Sequence, residues 1–257
     1  MSRSVMMSEL SWSEYKRRLE DEDAIVLLPA GAVEQHGHHL PLGTDWMLAT
    51  EMARRAAEQV GGVVAAPIAY GYKSQIRSGG GNHYIGTTSL DGPSLIQMVK
   101  EVLKEFARHG ARKIAVIDGH YENRFFLTDA CDLAIRELRY DGIEDVKILK
   151  MLYAEDIKPE TLKKCYPGGF LGLELEHGAV LETSMMMHCL SHLVDASKIS
   201  DDAPAKFPPY DIYPGDPNWV PPSGCLNRAL GSSAELGKVL TDEFTALVSG
   251  SLEREFR

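Results

Sequence analysis

Cysteine is scarce in this chain: Cys131, Cys165, Cys189 and Cys225 stand far apart, with no CxxC pair among them. That pattern gives neither the dense framework of a small disulfide-stapled domain nor the paired thiolates of a zinc site, so buried free thiols are expected. Long apolar runs are missing as well. No stretch approaches the roughly 18 residues of a spanning helix, and the start, MSRSVMMSELSWSEYKRRLEDEDA, turns polar before it supplies a signal-peptide core. Positive charge is in deficit, with 27 Lys and Arg against 37 Asp and Glu, a net charge of -10 and no basic cluster. Nucleic acid and anionic membrane surfaces are therefore excluded as partners, and the expected location is the cytoplasm. At 257 residues and 44% hydrophobic the chain fits one large α/β domain with a substantial core.

What is present is an alternation of short apolar runs with amphipathic stretches, the pattern of a mainly parallel sheet covered by helices. AIVLLPA (24–30), VVAAPIAYG (63–71), RKIAVIDGH (112–120) and DVKILKMLY (145–153) read as strands. Helical spacing runs through 45–60, where Gly61 and Gly62 suit the end, and through 91–110, where Pro93 suits the first turn and Leu95, Val99, Val102, Leu103 and Phe106 make one face. Further helices are expected over 125–142, over 179–194 and from about Ala229 to the end. Between Asp201 and Pro222 the run FPPYDIYPGDPNWVPP can continue neither helix nor sheet and reads as an ordered surface arm or oligomer contact. No internal repeat is visible.

The chemistry sits at strand ends. In open α/β sheets ligands bind beyond the carboxyl ends of the strands, and there GAVEQHGHHLPLGTD follows the first strand and DGHYEN the third. Glu34 with His36, and His120 with Glu122, are E-x-H and H-x-E pairs, and residues two apart on an extended backbone project to the same side. Asp45 opens the next helix, where a carboxylate suits the positive end. Two imidazoles and three carboxylates are many for one zinc ion but suit two divalent ions sharing one bridging carboxylate. Such pairs also cap helices and meet neighbouring charges, so one E-x-H alone would be structural. Two at equivalent strand ends, with a third acid and His pair in Glu176 and His177, favour metal. His38 and His39 fit supporting roles, His109 a helix C-terminus, and His188 with His192 one turn of a structural helix.

These segments, EQHGHHLPLGTD, DGHYEN, YGYKSQIRSGGGNHYIGTTSLDG and ELEHGAVLETS, together resemble the creatininase family of metal-dependent creatinine amidohydrolases. The resemblance runs from LSWSEY to FPPYD. It implies a three-layer α/β fold with a mainly parallel central sheet, a single amidohydrolase domain over 1–257, a homohexamer, and a binuclear site holding zinc, manganese or both. By position, Glu34, Asp45 and His120 would hold one ion and His36, Asp45 and Glu122 the other. The resemblance further implies that His177 is the acid/base group, with Glu176 beside it as orienter or relay and Glu122 also catalytic, and that Ser78, Tyr121 and Glu174, the last standing where the family places Asp, contact substrate. The family's two tryptophans that wall a flat substrate are replaced here by Ala154 and Leu173.

The function implied is hydrolysis of a small cyclic amide, creatinine to creatine leading, with another lactam, a formamide or a small amide as the alternative. A metal-binding or assembly protein without turnover would need no acid/base His, and His177 argues against it.

Overall fold

The computed structural model describes residues 4–257; the first three residues of the polar N-terminal stretch lie outside the described residues. Four strands form the sheet: β1 (Val26–Ala30), β2 (Val63–Val64), β3 (Lys113–Asp118) and β4 (Lys147–Leu152). All neighbours pair in parallel, in the order β2-β1-β3-β4, with Val26 opposite both Val63 and Ile114 and Ala30 opposite Asp118. Every residue of β1 is buried, as expected of a central parallel strand with both faces covered.

The strands alternate their side chains between two helical layers. Leu27, Ala115 and Ile117 point to one face, against α2 (Thr44–Val60), α7 (Val180–Cys189) and α8 (Ala234–Phe256), where Leu48, Met52, Met185, Phe244 and Val248 meet them. Val26, Leu28, Ile114 and Val116 point to the other, against α1 (Trp12–Glu22), α4 (Gly92–Arg108) and α5 (Arg124–Tyr140). Each fully buried Leu or Ile of this kind stabilises the fold by about 1.5–3 kcal/mol relative to exposure. Two short helices, α3 (Ile76–Gly79) and α6 (Pro159–Cys165), interrupt the connecting loops. Among the described residues no helix is long and apolar enough to cross a membrane.

Several elements are shorter than their sequence signal. The run 63–71 pairs as a ladder only at Val63 and Val64, with one isolated bridge from Ile68 to Ala30, because Pro67 cannot donate to a ladder. The run 179–194 leaves the α-helix at Leu190 (φ -140°, ψ 45°) and continues as a 3-10 turn over Ser191–Leu193. His188 and His192 are therefore not successive turns of one helix. The last helix starts at Ala234 rather than Ala229, since Gly231 takes φ 105° and Ser233 Oγ caps by accepting from Leu236 N at 3.2 Å. The segment 201–222 forms no helix or strand beyond a 3-10 turn at Pro217–Trp219.

The order places β2 and β3 on opposite sides of β1. Connections leaving β1 and β3 at their carboxyl ends thus diverge, which opens a crevice at the switch point.

Candidate metal centre

Five of the side chains read from the motifs converge at that crevice. Glu34 and His36 lie in the loop after β1, Asp45 in the first turn of α2, His120 directly after β3, and Glu122 in a 3-10 turn over Tyr121–Asn123. Glu34, His36, Asp45 and His120 are each no more than 2% exposed. Asp45 stands between the two imidazoles, with Oδ1 2.8 Å from His36 Nε2 and Oδ2 3.0 Å from His120 Nδ1. Glu34 Oε2 is 3.1 Å from His120 Nδ1. Glu34, Asp45 and His120 form one donor group, and His36 and Asp45 form another with Glu182, in the first turn of α7, whose Oε1 is 3.7 Å from His36 Nε2.

Glu182 is the residue that motif reading missed. It was visible within ELEHGAVLETS, but its approach to His36 depends on how α7 packs beside α2, which no local spacing encodes. Glu122, expected beside His36, instead lies on the Glu34 side, its Oε2 3.6 Å from His120 Nδ1. The reason is local: His120 is extended (φ -123°, ψ 117°), but the following residues turn into a 3-10 helix, so the same-side rule for extended pairs does not apply. Glu122 Oε1 accepts from Ser78 Oγ at 2.6 Å and from Gln75 N at 3.1 Å.

The backbone settles which imidazole nitrogens face the cluster. His36 Nδ1 is 3.1 Å from the carbonyl of Glu34, and His120 Nε2 is 3.0 Å from the carbonyl of Tyr72. A carbonyl only accepts, so each ring donates outward and turns its other nitrogen toward carboxylate oxygens. Such a nitrogen is held against carboxylates by a proton on the ring or by a cation between them. Glu34 Oε1, His36 Nε2 and Asp45 Oδ2 are moreover buried without a hydrogen-bond partner. The donor set and these free lone pairs fit divalent ions.

The electrostatics agree. Burial pushes Glu34 up to about 7 against the pull of His120, whereas at Asp45 His36 and His120 overcome burial and hold the carboxyl low. Burial opposes charge on both imidazoles, but the attraction of Asp45 and Glu182 for His36, and of Glu122 and Glu34 for His120, raises both well above the usual range. The cluster therefore seeks positive charge.

His177 packs against it, its ring 4.3 Å from that of His36 and its Nδ1 3.9 Å from Glu34 Oε2. Gln35, between the two ligands of the first pair, fixes its tautomer. The side-chain nitrogen of Gln35 lies 2.8 Å from Gly224 O, 3.2 Å from Gly79 O and 2.9 Å from His177 Nε2, while its Oε1 accepts from Gly37 N. Two carbonyl neighbours identify that end as the amide donor, so His177 Nε2 accepts and Nδ1 carries the proton that faces the cluster. Burial, reinforced by His36, lowers His177 well below its ordinary range. Glu176, raised well above its range by burial and by Glu182, accepts from Leu181 N through Oε1 and leaves Oε2 buried without a partner.

The cleft over the cluster has a volume of about 40 Å³, bounded by Ser78, Tyr121, Leu173, Glu176 and His177 as well as the carboxylates. The glycine loop reaches it closely: a Cβ on Gly79 would meet Glu34 Oε1 at 2.1 Å, so only glycine lets the backbone approach. Tyr121, 37% exposed, stands at the mouth. Glu174 does not reach the cleft. It is exposed, because the 3-10 turn over Leu173–Leu175 rotates about 120° per residue and presents Leu173 inward and the next side chain outward. His39 is buried against Thr183 Oγ1 at 2.8 Å, and His38 is exposed.

The family model described as creatinine amidohydrolase matches residues 8–251. Creatinine amidohydrolase of Pseudomonas putida is 45% identical over 257 residues, covering 100% of this chain and 99% of the relative. Among solved structures, a glutamate-to-glutamine variant of creatininase of zinc–zinc type superposes with a TM-score of 0.96, and a manganese creatininase with 0.95, each at 44% identity over 99% of both chains. With a family model over nearly its whole length and a relative of this identity from end to end, the chain belongs to the creatininase family.

Proposed function

We propose that this chain is a metal-dependent amidohydrolase that opens the cyclic amide of creatinine to give creatine. The observation that carries the reading is the buried cluster in which Asp45 meets both His36 and His120 while each ring's other nitrogen is anchored to a backbone carbonyl. The kinship to a creatinine amidohydrolase of the same length supports the substrate. Glu34, Asp45 and His120 would hold one divalent ion and His36, Asp45 and Glu182 the other, with Glu122 beside the first; zinc and manganese are the metals of the similar creatininases. Two such ions supply Lewis acidity toward an amide carbonyl and a water acidic enough to attack near neutral pH.

The chain's own residues do the rest. Nδ1–H of His177 faces the cleft, so the neutral imidazole donates a hydrogen bond to the carbonyl oxygen as it gains negative charge, while the proton lost by the attacking water is the one the substrate's ring nitrogen takes up as the C–N bond breaks. Burial and Glu182 raise Glu176 well above the usual carboxyl range, which suits passing a proton along the same wall. Ser78 holds Glu122 by its hydroxyl, and Tyr121 closes the mouth.

The reading extends to a single domain over 1–257, a cytoplasmic location and a homohexamer. Assembly is supported by Ile85, whose side chain is fully exposed, with Leu42 beside the adjoining Gly86. The test is creatinine hydrolysis by protein stripped with a chelator and reloaded with zinc or manganese. Turnover that returns with metal is expected, and metal-loaded protein that leaves creatinine intact would overturn the substrate.

A further inference from the structure

We infer that the cleft continues into an apolar chamber that takes an alkyl substituent larger than the methyl group of creatinine, so that the chain favours bulkier N-alkyl cyclic amides of the same ring. This rests on the cyclic-amide reading above and names the substrate class of that same site.

The polar chamber over the donor cluster adjoins a second chamber of about 60 Å³. Gly119, Tyr121, Leu173, Glu176 and Glu182 line both, so they are two ends of one cleft. Beyond that shared wall the lining is mostly apolar, with Leu152, Ala154, Leu181, Met185 and Phe244 around one tyrosine, Tyr153. Ala154 follows the end of β4, and its single methyl leaves the room that a large side chain would fill. Phe244 is fully buried in α8 and Met185 nearly so in α7, so the back wall belongs to the packed core. A volume of 60 Å³ is about twice a water molecule's share of the liquid, roughly 30 Å³, and beyond the shared wall Tyr153 is the one polar side chain of the lining. Two or three carbon atoms fit it better.

Orientation follows from the chemistry. The amide carbonyl must lie over the donor cluster, which turns the opposite side of the ring to the shared wall. In creatinine that side carries the N-methyl group and the exocyclic nitrogen. Glu176 Oε2, buried without a partner on the shared wall, accepts a hydrogen bond from the exocyclic nitrogen. The alkyl group then enters the apolar chamber, and each further methylene buried there strengthens binding about fourfold.

The test compares creatinine with its N-ethyl and N-propyl homologues on metal-loaded wild type, by kcat/KM and by calorimetric binding of the cyclic amides. The expected result is kcat/KM rising about fourfold per methylene, and a reversed order in Ala154→Trp and in the milder Ala154→Leu. Creatinine turnover with the longer homologues slower and weaker overturns the chamber while leaving the proposed function standing. Homologue turnover without creatinine turnover supports the chamber and removes creatinine as the substrate. Where no homologue is turned over, the binding series still decides: tighter binding with chain length supports the chamber, and flat or falling affinity overturns it.

Discussion

Asp45 carries more of the centre than any other side chain, because its two oxygens face different imidazoles, at 2.8 and 3.0 Å. Asp45→Ala is expected to lower both ion sites together and to abolish turnover; elemental analysis finding one full-occupancy ion in the variant would show that the carboxylate is not shared. His177 is separable from the metals. His177→Ala should keep the metal content and lower kcat by about 10²–10³-fold, the range for a donor to developing negative charge, and unchanged kcat would return the residue to a packing role. Gln35 acts through His177. Gln35→Leu releases the Nε2 contact, and a loss of about 10–100-fold in kcat at constant metal content is the magnitude expected for an outer partner of a site. A change confined to KM would indicate instead that Gln35 only anchors the loops at Gly79 and Gly224.

At the scale of elements, legibility followed how local the determinant is. The helix over Gly92–Arg108 was readable because Pro93 and an apolar stripe fix it from within, and Glu34, His36 and His120 were readable because strand ends place them, Asp45 because it opens a helix. Glu182 and the outward turn of Glu174 were not, since each depends on packing or on one 3-10 turn. Neither was the linkage of α4 to α5. Glu137 on α5 accepts from Lys100 at 2.7 Å and Lys104 at 2.8 Å on α4, and these two bonds hold its carboxyl down at about 2. A carboxylate lowered in the fold contributes stability that is full above its ordinary value near 4.5 and is lost as pH falls toward about 2. Glu137→Gln should therefore melt below wild type at pH 6, with the gap closing as pH falls through that window. The pair groups are partly solvated, so the gap is small; a gap independent of pH would trace the effect to packing.

For the whole molecule, the donor cluster ties together parts that are distant in the chain: the loop after β1, the start of α2, the turn after β3 and the first turn of α7. Between them these elements join the carboxyl ends of two sheet strands to the helical layer closed by α8, which contacts α2 and α7. The unfolded chain scatters the same donors, so ions that fit the cluster bind the native state and shift unfolding by mass action. One site at a hundredfold its Kd adds about 2.7 kcal/mol, which for a chain of this size is about 5–10 °C in Tm. Chelation should lower Tm by at least that much, zinc or manganese should restore it, and Asp45→Ala should show little response to either. The measurement is thermal unfolding at fixed pH, scan rate and protein concentration, with metal content determined on the same samples. If chelation removes the ions and Tm does not move, the cluster is preorganised by its hydrogen bonds to Glu34 O and Tyr72 O alone, and the metals contribute chemistry without contributing to the fold.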